Sequence, residues 1–198
     1  MRPKIFFTII MINVVIIIMI FRIVNQQRSV NKSKSGLSES SLLASLNESY
    51  STDGKKIPNI NLLSLRSDTI STHKYISNKK NILLIYSELT CNICVDSLIE
   101  NCNILADRYK NIKIWGIASA NDLEYLRRYS RINQLKFPLF WDRKEVLISK
   151  LKIDMLPAIL IIDESGTIIN SFFITPQTRD FTPILMRDIN KWCSSNKI

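Results

Sequence analysis

The sequence predicts an α/β sandwich with a central mixed sheet, preceded by one N-terminal membrane helix. Two observations predict the sandwich. Apolar runs typical of buried strands alternate with segments whose apolar residues recur every three or four positions, and the last two runs form a hairpin before a final helix. A third observation, an unbroken apolar stretch near the N-terminus, predicts the membrane helix. With 198 residues the chain is long enough for one domain with a full core and a tail.

The N-terminal stretch from residue 5 to residue 24 is almost wholly apolar, with Thr8, Asn13 and Arg22 as its polar interruptions. It reaches the roughly 20 residues that a helix needs to cross a bilayer. No small-x-small cleavage site follows it, so residues 1–24 are predicted to be an uncleaved anchor rather than a removed signal peptide. A buried core helix is the alternative, but such a helix would show a polar face.

The orientation of the anchor is not decided by its flanking charges, because basic residues lie on both sides of it: Arg2 and Lys4 before, and Arg22, Arg28, Lys32 and Lys34 after. A very short N-terminal flank before an apolar run is the usual signal-anchor arrangement. We therefore expect a single-pass protein of the cytoplasmic membrane with its domain on the periplasmic or extracytoplasmic side. Residues 25–56 are rich in Ser, Asn, Lys and Glu and are predicted to be a flexible linker.

The formal net charge of +10 does not indicate nucleic-acid binding, because the Lys and Arg residues are scattered and no nucleic-acid-binding motif is present. A solvated basic surface near anionic lipid is the plainer explanation.

The predicted domain, residues 57–198, begins at Ile57-Pro58 with a short strand before the turn at 66–68. Residues 69–80 are a second short strand or a loop, with His73 on the surface. The next elements are a buried strand at 82–86 and a helix from Cys91 to about Lys110.

The second half of the domain is predicted from strand, cap and turn signals. A strand at 112–118 is followed by a helix that runs from a capping box at Asn121 and Glu124 to about Arg131. Next come a strand at 137–141 and a helix at 144–151, which Asp142 and Glu145 cap. The domain ends with a hairpin of 158–162 and 167–174 around the turn 163–166, and with a helix that starts at Thr182-Pro183 and has Leu185, Ile189 and Trp192 on its inner face.

The segment Cys91-Asn92-Ile93-Cys94 directly follows the predicted buried strand and opens a predicted helix. Three residues apart at a helix start, the two sulfurs lie on one face, close enough for a disulfide. The positive end of the helix dipole favours the thiolate of Cys91, which makes Cys91 the attacking thiol and Cys94 the resolving thiol. Inert thiols and a zinc site are the alternatives.

A structural zinc site needs two further ligands at short spacing, and the remaining His and Cys residues are His73, Cys102 and Cys193. No metal or other cofactor is therefore expected. Cys102 falls on the buried face of the predicted helix, where it is expected to be a small core side chain.

From Ile57 to Ser194 the chain resembles the thioredoxin fold, and specifically the membrane-anchored TlpA/ResA-like branch of the AhpC/TSA redoxin group. The resemblance rests on the C-x-x-C at a strand-to-helix junction, on residues 152–158 and on residues 161–166. It implies a three-layer sandwich in which the Leu156-Pro157 peptide is cis and lies beside the thiols. The backbone of Leu156 would then pair with an extended substrate peptide.

Three positions depart from the pattern of that family. Thr90 and Ile93 stand where an aromatic residue and a proline are common, and Ile85 stands where thioredoxin has a buried acid that helps to deprotonate the resolving thiol. Glu88 is the nearest carboxylate; it either replaces that acid or is simply solvated.

The resemblance implies a thiol-disulfide oxidoreductase that passes electrons to protein disulfides in the cell envelope, with apocytochrome c among the expected clients and a membrane electron donor that recharges the cysteines. Asn92-Ile93 supplies no cation to stabilise a thiolate, which favours a reductant or exchanger over a strong oxidant. Pairing of Cys102 with Cys193 is a further option.

Two other functions stay open. A non-catalytic, membrane-tethered binding or scaffold module would keep the fold and use the disulfide only structurally. A thiol peroxidase is disfavoured because the P-x-x-x-[ST]-x-x-C motif is missing: the positions seven and three residues before Cys91 hold Leu84 and Glu88, and those before Cys94 hold Ser87 and Cys91.

Overall fold

The computed structural model describes residues 52–76, 79–176, 178 and 182–194. The anchor predicted at 1–24 and the linker up to residue 51 lie outside this part of the chain. Within the described residues, no helix has both the length and the apolar composition needed to cross a membrane.

The described elements follow the predicted alternation of strands and helices. The strands are β1 (Asn61–Ser64), β2 (Thr69–Ser71), β3 (Asn81–Ser87), β4 (Lys113–Ser119), β5 (Leu139–Trp141), β6 (Ala158–Ile162) and β7 (Ile168–Phe173). The helices are α1 (Thr72–Ile76), α2 (Asn92–Arg108), α3 (Leu123–Ile132), α4 (Val146–Leu151) and α5 (Thr182–Ser194).

All seven strands form one sheet in the order β2-β1-β5-β4-β3-β6-β7. Strands β3, β4 and β5 are parallel, whereas β1 is antiparallel to β5 and to β2, and β6 is antiparallel to β3 and to β7. The prediction of a central mixed sheet is therefore confirmed. Parallel strands need helical crossovers, and α2 and α3 are the crossovers that join β3 to β4 and β4 to β5.

Two hydrophobic cores, one on each face of the sheet, make the fold a three-layer sandwich. Alternate residues of β3 go to opposite faces, as the period of a strand requires. Leu84 packs with buried residues of α2, α3 and α5 on one face, and Leu83 packs with α1 and α4 on the other. Because β3 is covered on both faces, its residues 81–86 are all buried, which explains why its sequence is a continuous apolar run after Asn81.

Residues 52–56, which were predicted to be part of the linker, are attached to strand β7 and to the turn before it. The N–H of Gly54 donates to the carbonyl of Ile168 at 2.7 Å, and Lys56 forms an isolated bridge with Thr167. The hydroxyl of Thr52 donates to that of Ser171 at 2.6 Å in a buried position. The ordered contacts of the domain therefore extend back to Thr52.

Two helix starts and one short helix differ from the prediction. Helix α1 occupies part of the segment expected to be a strand or loop, and its His73 is exposed as expected. The cap of α3 is Asp122, which accepts a bond from the N–H of Glu124, and not Asn121. Asp142 caps α4 as expected, because its carboxylate accepts from the N–H groups of Val146 and Leu147, but the helix starts two residues later than predicted.

Helix α4 has a residue in the left-handed region at each end, Glu145 with φ 52° and Lys152 with φ 58°. This conformation costs a residue with a Cβ roughly 1–2 kcal/mol, and glycine avoids that cost. Lys152 is exposed and directly follows the last helical residue, where glycine is the preferred residue.

We therefore expect the Lys152→Gly substitution to raise the free energy of unfolding by about 1 kcal/mol in urea titrations of the full-length chain in detergent micelles. Lys150→Gly, the matched control, removes the same exposed side chain from within α4 and should lower it by about 1 kcal/mol. Equal losses for both variants would contradict the left-handed assignment.

Candidate thiol site

Strand β3 lies inside the sheet, between β4 and β6, and a tight turn at its C-terminal end leads to Cys91. The N–H of Ser87 donates to the hydroxyl of Thr90 at 3.0 Å, and the N–H of Thr90 donates to the carbonyl of Ser87 at 3.0 Å. The N–H of Glu88 donates to the carbonyl of Ser119 at the end of β4. These bonds fix the chain between the strand and the helix, so they also fix where the first cysteine lies.

Cys91 is the N-cap residue of α2, as the sequence predicts. Its carbonyl accepts from the N–H groups of Cys94 at 3.0 Å and of Val95 at 3.1 Å, which starts the helix. Its side chain does not cap the helix as Ser or Asp would. The first turn of a helix has backbone N–H groups without intrahelical partners and carries the positive end of the dipole. Negative charge on the sulfur of Cys91 is favoured at this position.

The two sulfurs are in contact and unequally exposed. The Sγ of Cys94 donates to the Sγ of Cys91 at 2.8 Å. Cys91 is partly exposed, whereas the side chain of Cys94 is 1% exposed. An incoming molecule can therefore reach Cys91 first, and Cys94 lies behind it in position to attack the same sulfur. No disulfide joins any of the four described cysteines.

The Leu156-Pro157 peptide is cis, as the resemblance implied. It directly precedes β6, whose residue Ala158 is opposite Ile85 of β3. The cis peptide therefore lies at the end of the strands where β3 ends and the cysteine segment begins. Pro157 is buried, and its carbonyl accepts from the N–H of Ile174 at 2.9 Å, while Leu156 is half-buried.

Two carboxylates near the thiols have specific partners that sequence reasoning missed. The carboxylate of Glu88 accepts from the side-chain amide of Asn121, so it is not simply solvated. The carboxylate of Asp96 accepts from the hydroxyl of Tyr129 at 2.6 Å. Burial and this hydrogen bond raise the pKa of Tyr129 far above its usual value. Both partners come from the β4–α3 part of the chain, and no local pattern indicates such pairings.

The tyrosine cluster beside α2 continues with Tyr86, whose ring centroid is 5.9 Å from that of Tyr129. Burial also raises the pKa of Tyr86 strongly. Ile85, which takes the place of the buried acid of thioredoxin, packs in the core on the opposite face of the sheet from Cys94. The described residues thus place neutral aromatic side chains, and not a buried acid on β3, next to the cysteine helix.

The other two cysteines are core residues. Cys102 and Cys193 are each 0% exposed and lie in the same core, on α2 and α5. Burial raises the pKa of Cys102 to about 12 and that of Cys193 to about 11, so both are protonated at neutral pH. The prediction for Cys102 is confirmed. No group of three or more His, Cys, Asp or Glu side chains that could hold a metal occurs in the described part of the chain.

The sequence profile of the AhpC/TSA family matches residues 54–171, which include the C-x-x-C and the cis proline. No curated protein matches the chain.

Solved structures with similar folds include one from Chlorobium tepidum that carries the name thiol:disulfide interchange protein DsbE, with a TM-score of 0.60, 13% identity and coverage of 72% of this chain and 98% of that one. A thiol:disulfide interchange protein from Bacteroides sp. has a TM-score of 0.57, 16% identity and coverage of 73% and 92%. A secreted disulfide oxidoreductase from Mycobacterium tuberculosis has a TM-score of 0.55, 14% identity and coverage of 66% and 96%.

At these identities the structures show the fold, which is thioredoxin-like as predicted. By their names, these three neighbours are themselves thiol:disulfide interchange proteins or a disulfide oxidoreductase.

The exposure of Cys91, together with the burial and the raised pKa of Cys102 and Cys193, predicts the order in which the cysteines are alkylated. With iodoacetamide at pH 8, Cys91 of the reduced native protein should react first, and Cys102 and Cys193 should stay unmodified until the protein unfolds. Peptide mass mapping over time measures this order. Labelling of Cys102 or Cys193 at the rate of Cys91 would show that the core described here is open.

Proposed function

The chain belongs to the AhpC/TSA family, and from this premise we propose that it is a membrane-anchored, extracytoplasmic thiol-disulfide oxidoreductase acting on protein disulfides. The observation that carries the proposal is the pair of sulfurs 2.8 Å apart at a helix start, one exposed and one buried behind it. A purely structural disulfide gains nothing from this asymmetry, whereas a two-step exchange requires it.

In the first step the thiolate of Cys91 attacks one sulfur of a client disulfide. The client S–S bond breaks, a bond forms between Cys91 and that client sulfur, and the other client sulfur leaves as a thiolate. In the second step the sulfur of Cys94, having lost its proton, attacks Cys91, and the first client sulfur leaves. Two electrons pass from the dithiol to the client, and the two protons of the dithiol end on the client thiols.

Leu156 and Pro157 are proposed to hold the client peptide for the first step. Proline has no N–H, and the carbonyl of Pro157 already accepts from the N–H of Ile174, so pairing with an extended client peptide is assigned to the backbone of Leu156. The half-buried Leu156 lies just before β6, at the same end of the strands as the cysteines that follow β3.

The direction of electron flow is proposed to be from this protein to its clients. Strong oxidants of this fold have an unusually stable reduced form, with potentials near −120 mV against about −270 mV for thioredoxin. The residues between the cysteines, Asn92 and Ile93, supply no positive charge that would stabilise the thiolate. A reductant or exchanger recharged by a membrane electron donor is the better fit.

The proposed place of action is the outer side of the cytoplasmic membrane, with clients among envelope proteins such as apocytochrome c. Its support is the apolar stretch at residues 5–24 and the polar linker that follows it. Disulfide chemistry belongs to oxidising compartments, which favours an extracytoplasmic domain.

A synthetic peptide with one intramolecular disulfide tests the exchange reaction. The reduced full-length chain should reduce about one disulfide per protein, and Cys91→Ser should slow the reaction by at least about a thousandfold because it removes the nucleophile. Cys94→Ser should instead accumulate a peptide adduct at Cys91, detected by mass spectrometry. A Cys94→Ser protein that forms no adduct would favour the scaffold alternative.

The orientation is tested by fusing alkaline phosphatase, which needs its own disulfides to be active, after Ile198. We expect an active fusion, because the reporter would then lie outside the cytoplasm. An inactive phosphatase fusion, together with a fluorescent second fusion whose reporter folds only in the cytoplasm, would contradict the proposed topology.

A further inference from the structure

Two large apolar side chains are exposed close to Cys91 in the sequence, although the protein as a whole is strongly basic. Leu89 is 89% exposed and Ile93 is 65% exposed, two residues before and two residues after Cys91. Exposed side chains of this size next to a reactive sulfur offer contact area to whatever binds there. Neither side chain contributes to the core beneath it.

The exposed face of α2 continues this surface away from Cys91. Ile93, Asp96, Ser97 and Glu100 are spaced by three and four residues, so they form one stripe along the helix. The stripe lines an open groove of about 500 Å³ whose far wall includes Asn133, just after the end of α3.

The floor and far end of this groove are held in place by hydrogen bonds. The side-chain amide of Asn103 donates to the carbonyl of Asn133 at 3.4 Å, and its oxygen accepts from the N–H of Lys136 at 2.8 Å. Asp96 is held by the hydroxyl of Tyr129 at 2.6 Å. These bonds preorganise the groove, which lowers the cost of binding.

The groove is locally acidic on a chain whose formal net charge is +10. The charged side chains that line it are Asp96 and Glu100. The net positive charge of the protein attracts acidic peptides and repels basic ones. The acidic groove, which begins at Ile93, instead attracts basic peptides.

We propose that this groove binds the client segment next to the attacked cysteine and selects an apolar residue beside that cysteine with Lys or Arg farther along. The proposal rests on the proposed function, because the mixed disulfide at Cys91 is what brings the client there. A helix rises 1.5 Å per residue and an extended peptide about 3.3 Å. Asp96 and Glu100 lie five and nine residues beyond Cys91 along α2, so a client peptide needs at least about two and about four residues to cover the axial distance to them.

Three synthetic peptides test the selection, each with one Cys held as a mixed disulfide with mercaptoethanol and followed by Leu. In each peptide the second and fourth positions after the cysteine hold the same residue, which is Lys in the first peptide, Gln in the second and Glu in the third. A second set of three peptides has these residues at the second and fourth positions before the cysteine. The protein is the full-length Cys94→Ser chain in neutral detergent micelles. Attack by Cys91 releases mercaptoethanol and leaves the peptide on Cys91, and mass spectrometry gives the second-order rate constant.

At low salt the Lys peptide of at least one set should react about fivefold faster than the Gln peptide, and the Glu peptide should react slowest. The difference should shrink at 0.5 M salt, where the Debye length is about 4 Å. Equal rates for the three peptides, or the reverse order expected from the net charge alone, would overturn the proposal.

Two charge reversals locate the effect. Glu100→Lys should abolish the preference for the Lys peptide, whereas Glu164→Lys, an equal change at an exposed residue of the β6–β7 turn, should leave it intact. A preference that is unchanged by Glu100→Lys would overturn the proposal.

The small neutral reagent bis(2-hydroxyethyl) disulfide separates this proposal from the proposed function. Equal rates with this reagent in all variants show that Cys91 itself is unaffected, so that altered peptide rates report the groove. Failure of Cys91 to react with this reagent and with all peptides would overturn the proposed function, and with it this inference.

Discussion

The central position of β3 in the sheet is the constraint on which the thiol site depends. This strand pairs with β4 on one side and β6 on the other, and both of its faces are covered by helices. Its backbone is thus fixed from every side, and the bonds between Ser87 and Thr90 carry that rigidity to Cys91. The pairing of β3 with β6 also brings the cis proline to the end of the strands at which Cys91 lies. A reactive cysteine needs such support, because exchange depends on the line of approach between sulfurs.

The parts of the fold that the sequence predicts are those encoded by local pattern. The continuous apolar run of β3, the three-and-four spacing in α2 and the Asp163 to Gly166 turn each determine a structure without help from the rest of the chain. Prediction fails where several local solutions compete. Helix α1 has five residues, too few for a periodic pattern, and both Asn121 and Asp122 are good N-caps.

The candidate site divides in the same way. Spacing alone brings Cys91 and Cys94 together, whereas the cis form of Pro157 was expected only through the resemblance to a family, since few X-Pro bonds are cis. The bonds from Asn121 to Glu88 and from Tyr129 to Asp96 join residues that lie 33 positions apart in the sequence. These hydrogen bonds form because the crossover through α3 brings distant residues together, and no local sequence pattern predicts them. The surroundings of the thiols therefore became visible only in the structure.

The central claim is that Cys91 and Cys94 are a reversible redox pair, and equilibration in thiol–disulfide buffers of stepped potential tests it most directly. The account predicts one two-electron transition, with a Cys91–Cys94 disulfide found by mass mapping in the oxidised form and a midpoint closer to about −270 mV than to about −120 mV. A chain in which this disulfide never forms across that range, while Cys91 stays accessible to alkylation, would contradict the account.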